Sequence, residues 1–281
     1  MRRSVALKLL RSGDASPGAV ARFEREVAAL GELTHPNTVR VFDFGVTEDG
    51  ICYYAMELLE GEDLGSLVAR EGPQPAPRAV HLVWQAARAL GEAHARGTVH
   101  RDVKPENLFV TTAGAERDFV KVLDFGIAKR EARDATLTHA GWIGGTPAYM
   151  SPEAASGKPS DARSDVYSLG LVLYTLLAGR PPFVDDNAAS VLYKQIHETP
   201  PLLEAWAGVV PEDVNAVLAR CLAKRPDERF ADAGALAHAL AGCECFGRWD
   251  PSLAPEAGER RAPALDTSAD TLDAAERKVA G

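Results

Sequence analysis

The run from Ser4 to Leu10 is apolar except for Lys8, a pattern that predicts a strand carrying one polar side chain to a special face. Ser16 and Pro17 then supply an N-cap and a first helical residue, and Val20, Phe23, Val27 and Leu30 follow at helical spacing. Two short strands are expected at 38–44 and 51–58, on either side of the turn-prone Glu48-Asp49-Gly50. After Gly61 the period becomes helical. Val80, Val83, Trp84, Ala87 and Leu90 make one apolar stripe, and Gly97 ends it. Short apolar runs at 108–111 and 120–123 predict a small hairpin.

Residues 124–153 have no period of their own and are too many for an ordinary connection, so a functional segment is expected there. From Asp165 onward the pattern is helical again, including 213–222 and 232–240. The most apolar stretch, Val166 to Ala178, is short of the roughly 20 residues that cross a bilayer and reads as a buried helix. Beyond Gly247 large apolar side chains become scarce, so 247–281 is expected to be a mostly disordered tail.

Composition narrows the class. At 281 residues, 46% hydrophobic and 25% charged, the chain can bury a sizeable core. A formal net charge of -9 argues against a nucleic-acid partner, because phosphate backbones select for a surplus of Lys and Arg. No charged start leading into an apolar core and cleavage site is present, so the expected compartment is the cytoplasm. Cys52, Cys221, Cys243 and Cys245 lack the partners for a four-ligand zinc site and are expected to be reduced structural thiols.

The chemistry sits in short motifs. His100-Arg101-Asp102-Val103-Lys104-Pro105-Glu106-Asn107 precedes Asp124-Phe125-Gly126, and Val5-Ala6-Leu7-Lys8 stands near the start. In this order they resemble the signature set of protein kinases. With His35-Pro36-Asn37, Gly145-Thr146-Pro147 and Gly179-Arg-Pro-Pro-Phe183, the chain most resembles the catalytic domain of bacterial eukaryotic-like (Hanks-type) serine/threonine protein kinases, over about residues 4–242. The resemblance implies an α+β, two-lobed kinase fold, with a partial N-lobe at 1–58, a mainly helical C-lobe at 59–246 and the tail at 247–281. It also implies ATP and Mg2+ as cofactors and transfer of the γ-phosphate to protein Ser/Thr hydroxyls. Autophosphorylation between the copies of a homodimer is expected, with no nucleic acid and no membrane segment involved.

Roles follow from the resemblance. Asp102 should accept the hydroxyl hydrogen of the substrate, and Lys104 should contact the transferred phosphate. Asn107 and Asp124 should give hard oxygen ligands to magnesium. Lys8 should hold the α and β phosphates, paired with Glu26; Glu24 competes for that role, but the helical frame places Glu26 beside the core face. Met56 as gatekeeper, Glu57 and Leu59 at the hinge, and Ala6 and Phe109 above and below the ring should receive adenine, with Glu62 or Asp63 reaching the ribose. Gly144 to Glu153 resembles the end of an activation segment, containing Thr146. Thr136 or Thr138 is the expected phosphosite, pairing with Arg101. Glu153 should pair with Arg229, and Asp165 should anchor the catalytic-loop backbone.

One departure matters. Only seven residues precede Lys8 and none is glycine, so the glycine-rich phosphate loop and its two strands are expected to be missing from the N-lobe. Either the sequence starts late, or the chain is a truncated scaffold with weak or no catalysis. The joint retention of Lys8, Glu26, Asp102, Asn107 and Asp124 favours the first. A small-molecule phosphotransferase, a third class, lacks a peptide platform like 144–153.

Overall fold

A computed structural model describes residues 4–10, 17–48, 50–125, 146–201, 203 and 210–254. Strands β1 (Val5–Leu10), β2 (Val41–Val46) and β3 (Cys52–Glu57) form an antiparallel sheet in the order β1-β3-β2. Alternation along β1 is strict: Val5, Leu7 and Leu9 face outward, while Ala6 and Lys8 are half-buried on the other face. Helix α1 (Pro17–Gly31) covers the sheet with Phe23, Val27 and Leu30, and Phe23 meets Phe44 of β2 edge-on at 6.4 Å.

The second strand begins at Val41 and not at Thr38 as the pattern predicts. Residues just ahead of it are diverted: Thr38 bridges to Val122, and the buried Asn37 gives its amide N–H to Gln85 Oε1 at 3.0 Å and to Val120 O at 2.7 Å. A polar side chain that satisfies distant buried acceptors holds the chain away from the sheet.

Strands β4 (Gly61–Asp63), β5 (Leu108–Ala113) and β6 (Glu116–Val122) make a second antiparallel sheet in that order. The expected hairpin is β5–β6. Gly61 has φ 151°, and a Cβ there would lie 2.0 Å from the carbonyl oxygen of Val110. No flexible side chain could move aside, so Gly61→Ala is expected to cost roughly 3 kcal/mol of stability. Urea unfolding checks this, and a loss below about 1 kcal/mol would contradict it.

The remaining helices among the described residues are α2 (Leu64–Glu71), α3 (Ala76–Ala95), the one-turn α4 (Pro152–Ala155), α5 (Ala162–Ala178), α6 (Ala188–His197), α7 (Glu212–Cys221) and α8 (Ala233–Ala241). Every residue of α5 from Ser164 to Ala178 is buried, as suits a helix apolar on all sides, and α3 packs against both α5 and α8. Among the described residues no helix is long and apolar enough to cross a membrane. All four cysteines are buried and free.

Packed chain continues past Gly247, where a tail was expected to begin. Trp249 donates from Nε1 to Asp118 Oδ2 at 3.0 Å, the Arg78 guanidinium lies 5.2 Å from the Trp249 ring centroid, and Ala254 is buried. Residues 255–281 lie outside the described residues.

Candidate active site

The loop between α3 and β5 hangs from one buried carboxylate. Asp165, near the start of α5, accepts the backbone N–H of His100 at 2.7 Å and of Arg101 at 2.8 Å, and the ring of His94 lies 2.9 Å from it. It is 1% exposed, so these donors replace the water it has lost. His94 also accepts the N–H of Ala233, the first residue of α8, which ties the end of α3 to the same point. His100 accepts the Asp102 N–H at Nδ1, 3.2 Å, so its Nε2 is the nitrogen that donates to Leu123 O at 2.8 Å. With the His100 N–H on one oxygen of that carboxylate and its own N–H on the other, Arg101 takes a left-handed φ of 64°.

That scaffold presents Asp102, Lys104 and Asn107 together. Asn107 donates from Nδ2 to the Asp102 backbone oxygen at 2.7 Å and to its Oδ2 at 3.2 Å, and Lys104 Nζ lies 3.9 Å from the same Oδ2. The Asn107 amide nitrogen is thereby committed, which leaves its carbonyl oxygen as the atom able to serve as a ligand.

The Lys8 ammonium is 2.6 Å from Asp124 Oδ2, a contact that the motifs alone do not announce. The physical reason is reach: Lys8 and Tyr54 are cross-strand partners in the β1–β3 pair, so both side chains leave the same face of the sheet, and Asp124 is the carboxylate in front of them. Tyr54 donates its hydroxyl to Asp124 Oδ1 at 2.6 Å. Burial alone would raise the Asp124 carboxyl, but the Lys8 ammonium and the Tyr54 hydroxyl outweigh it and hold the group below the ordinary carboxylate range. Asp124 also sits at a left-handed φ of 51°, and Phe125 behind it is buried against the His100 ring at 4.6 Å.

Ala6 and Met56 face each other across β1 and β3, with Glu57 and Leu59 following at the end of β3. Glu57 uses its carboxylate on Lys121 at 2.7 Å and on the Arg40 N–H at 2.8 Å. Phe109 is buried in the second sheet. Of the two ribose candidates, Asp63 caps α2 through the Ser66 N–H at 2.9 Å, and Glu62 pairs with Arg70. Glu153 and Arg229 form the expected pair, with contacts of 2.8 and 2.9 Å, and Ser164 adds a hydroxyl at 2.6 Å. Thr146 is exposed and lines a cleft with Arg101, Asp102 and Tyr149, whereas Thr136 and Thr138 lie outside the described residues.

Two contributors escape a reading of the sequence: His94, which looks like the end of an amphipathic helix, and Tyr54, which looks like plain strand core. Alternation with Lys8 and Met56 is the only signal that puts Tyr54 on the site's face.

A family model for the protein kinase domain matches residues 1–241. The chain is 45% identical over 240 residues to the serine/threonine-protein kinase pkn3 of Myxococcus xanthus, an alignment covering 82% of this chain and 43% of that protein. It is 41% identical over 238 residues to the serine/threonine-protein kinase PknB of Mycobacterium leprae, covering 83% of this chain and 38% of that one. The PknB of Mycobacterium tuberculosis (strain ATCC 25618 / H37Rv) is 40% identical over 238 residues. This chain therefore spans less than half the length of these relatives.

Proposed function

From the premise that this chain belongs to the protein kinase family, as a bacterial Hanks-type catalytic domain, we propose that it transfers the terminal phosphate of ATP to serine and threonine hydroxyls of proteins. The observation that carries the reading is the bonded group Asp102, Lys104 and Asn107, held on a backbone that Asp165 anchors. Such positioning supports catalysis of a reaction in which the protein does little covalent work. It also supports the enzyme over an inactive scaffold, which has no use for a cation and an amide both trained on one carboxylate.

The family uses ATP and a divalent metal in general; for this chain we take Mg2+. The donors fit it, since an ionised Asp124 carboxylate and the Asn107 carbonyl are both hard oxygens. Asp124 and Asn107 would hold the ion, and phosphate and water oxygens would be its other ligands, as is usual for magnesium. When bound, the metal neutralises charge on the phosphates.

Asp102 takes the hydroxyl hydrogen of the substrate and aims its oxygen, while Lys104 meets the transferred phosphate. Lys8 exchanges Asp124 for the nucleotide phosphates, and Glu26 on α1 then becomes its partner. Ala6, Met56, Glu57, Leu59 and Phe109 receive the adenine. A phosphate on Thr136 or Thr138 pairs with Arg101 and anchors the segment to the catalytic loop, with Thr146 beside the peptide. The division at residue 58, trans-autophosphorylation in a homodimer and a cytoplasmic site of action complete the proposal.

Labelled ATP with Mg2+ and a generic protein substrate tests it. Phosphoserine and phosphothreonine are expected on acid hydrolysis, and peptide mapping should find phosphate on Thr136 or Thr138. Label confined to a small-molecule acceptor would overturn the protein-kinase reading, and active protein unmodified at both threonines would remove the phosphosite.

A further inference from the structure

We infer that Tyr54 is a positioning residue for the metal-binding carboxylate, a role that rests on the reading of Asp124 as a metal ligand. Tyr54 is 2% exposed in the middle of β3, and its hydroxyl leaves its own sheet. It crosses to Asp124 Oδ1 at 2.6 Å, while Lys8, its direct cross-strand partner, takes Oδ2 at 2.6 Å. One sheet face thus holds each oxygen of one carboxylate with a separate donor. The two are not equivalent. Lys8 is a flexible cation that the proposed mechanism hands over to phosphate, whereas Tyr54 is a rigid ring locked in the core, with only its hydroxyl torsion left to turn.

Consequently, once Lys8 leaves, Tyr54 still orients Asp124 and leaves Oδ2 for the metal. Such a brace also acts on a left-handed backbone, since Asp124 has a φ of 51°, a region uncommon for residues other than glycine though one that Asp enters more readily than most. Hydrogen bonds to a ligating carboxylate are worth about tenfold to a hundredfold in metal affinity. Asp124 retains 26% side-chain exposure, so water offsets part of the loss, and the lower figure applies.

The test is Tyr54→Phe, which removes one oxygen and keeps the ring. Mn2+ binding is read by electron paramagnetic resonance with a saturating non-hydrolysable ATP analogue, and analogue binding without metal is read by fluorescence in chelator. Expected are a Mn2+ Kd raised about tenfold and a metal-free nucleotide Kd changed less than about twofold. Tyr53→Phe, on the opposite face of the strand, should change neither. A merely structural Tyr54 would move both constants together or only the melting temperature, and either result, or an unchanged Mn2+ Kd, overturns the inference. Should Tyr54→Phe fail to fold, Tyr54→Met removes the same donor and is judged by the same two constants. Asp124→Asn separates the layers. If it weakens Mn2+ and Tyr54→Phe does not, only the positioning role fails; if it leaves Mn2+ unchanged, the metal-ligand reading fails and takes the inference with it.

Discussion

Asp102→Asn is expected to lower phosphoryl transfer by roughly a thousandfold, within the range ascribed to a positioned acid or base. The substitution keeps the volume of the side chain and one acceptor oxygen, so Asn107 can still donate to it and the loop remains hung from Asp165. What disappears is the negative charge that, in the proposed mechanism, accepts the substrate hydrogen. Nothing in the contacts of Lys8 or of the β1–β3 strands changes, so the KM for ATP should stay within about threefold while kcat falls, the signature of an interaction made only in the transition state. Steady-state kinetics with labelled ATP measures both, and circular dichroism confirms folding. Activity within a few-fold of the parent would remove Asp102 from the mechanism.

Arg229→Met should destabilise the fold by about 3–5 kcal/mol, the range for breaking one side of a buried ion pair. Arg229 has no exposed side-chain surface, and beyond Glu153 its guanidinium donates to the backbone oxygens of Ala223, Arg163 and Lys224 at 2.7, 3.0 and 3.0 Å. Methionine fills the space but leaves three carbonyls and a carboxylate without their donor. Urea unfolding should show a lower midpoint at an unchanged slope. The gap should also depend on pH. Burial alone would raise the Glu153 carboxyl, but the Arg229 and Ser164 hydrogen bonds outweigh it and depress it. With the folded value below the unfolded one, the pair's contribution is complete above the unfolded pKa and fades as pH falls through the folded one. The parent's advantage over Arg229→Met should therefore shrink in acid, and an advantage that grows would contradict the assignment.

Much of this molecule is legible because it is local. Helical spacing at Phe23, Val27 and Leu30, the apolar run of α5 and the β5–β6 hairpin each report a face that must be buried, and each is found where the pattern predicts it. Pairings carried by the motif order, such as Glu153 with Arg229 and Asp165 with the loop backbone, are legible too, through the resemblance rather than through any property of the spacing.

What periodicity cannot carry is which buried faces meet. Residue types and local period determined the elements, because a side chain's direction from its own backbone depends only on nearby dihedrals, while the 100–107 and 124–126 motifs were legible through the resemblance. Tertiary structure alone decided that Lys8 reaches Asp124, that Tyr54 joins it, that Asn37 draws the start of β2 off the sheet, and that Trp249 closes over Arg78. Each of those outcomes is a competition among partners distant in the chain, and in a buried site the winner is set by separations of an ångström or two, which no sequence interval encodes.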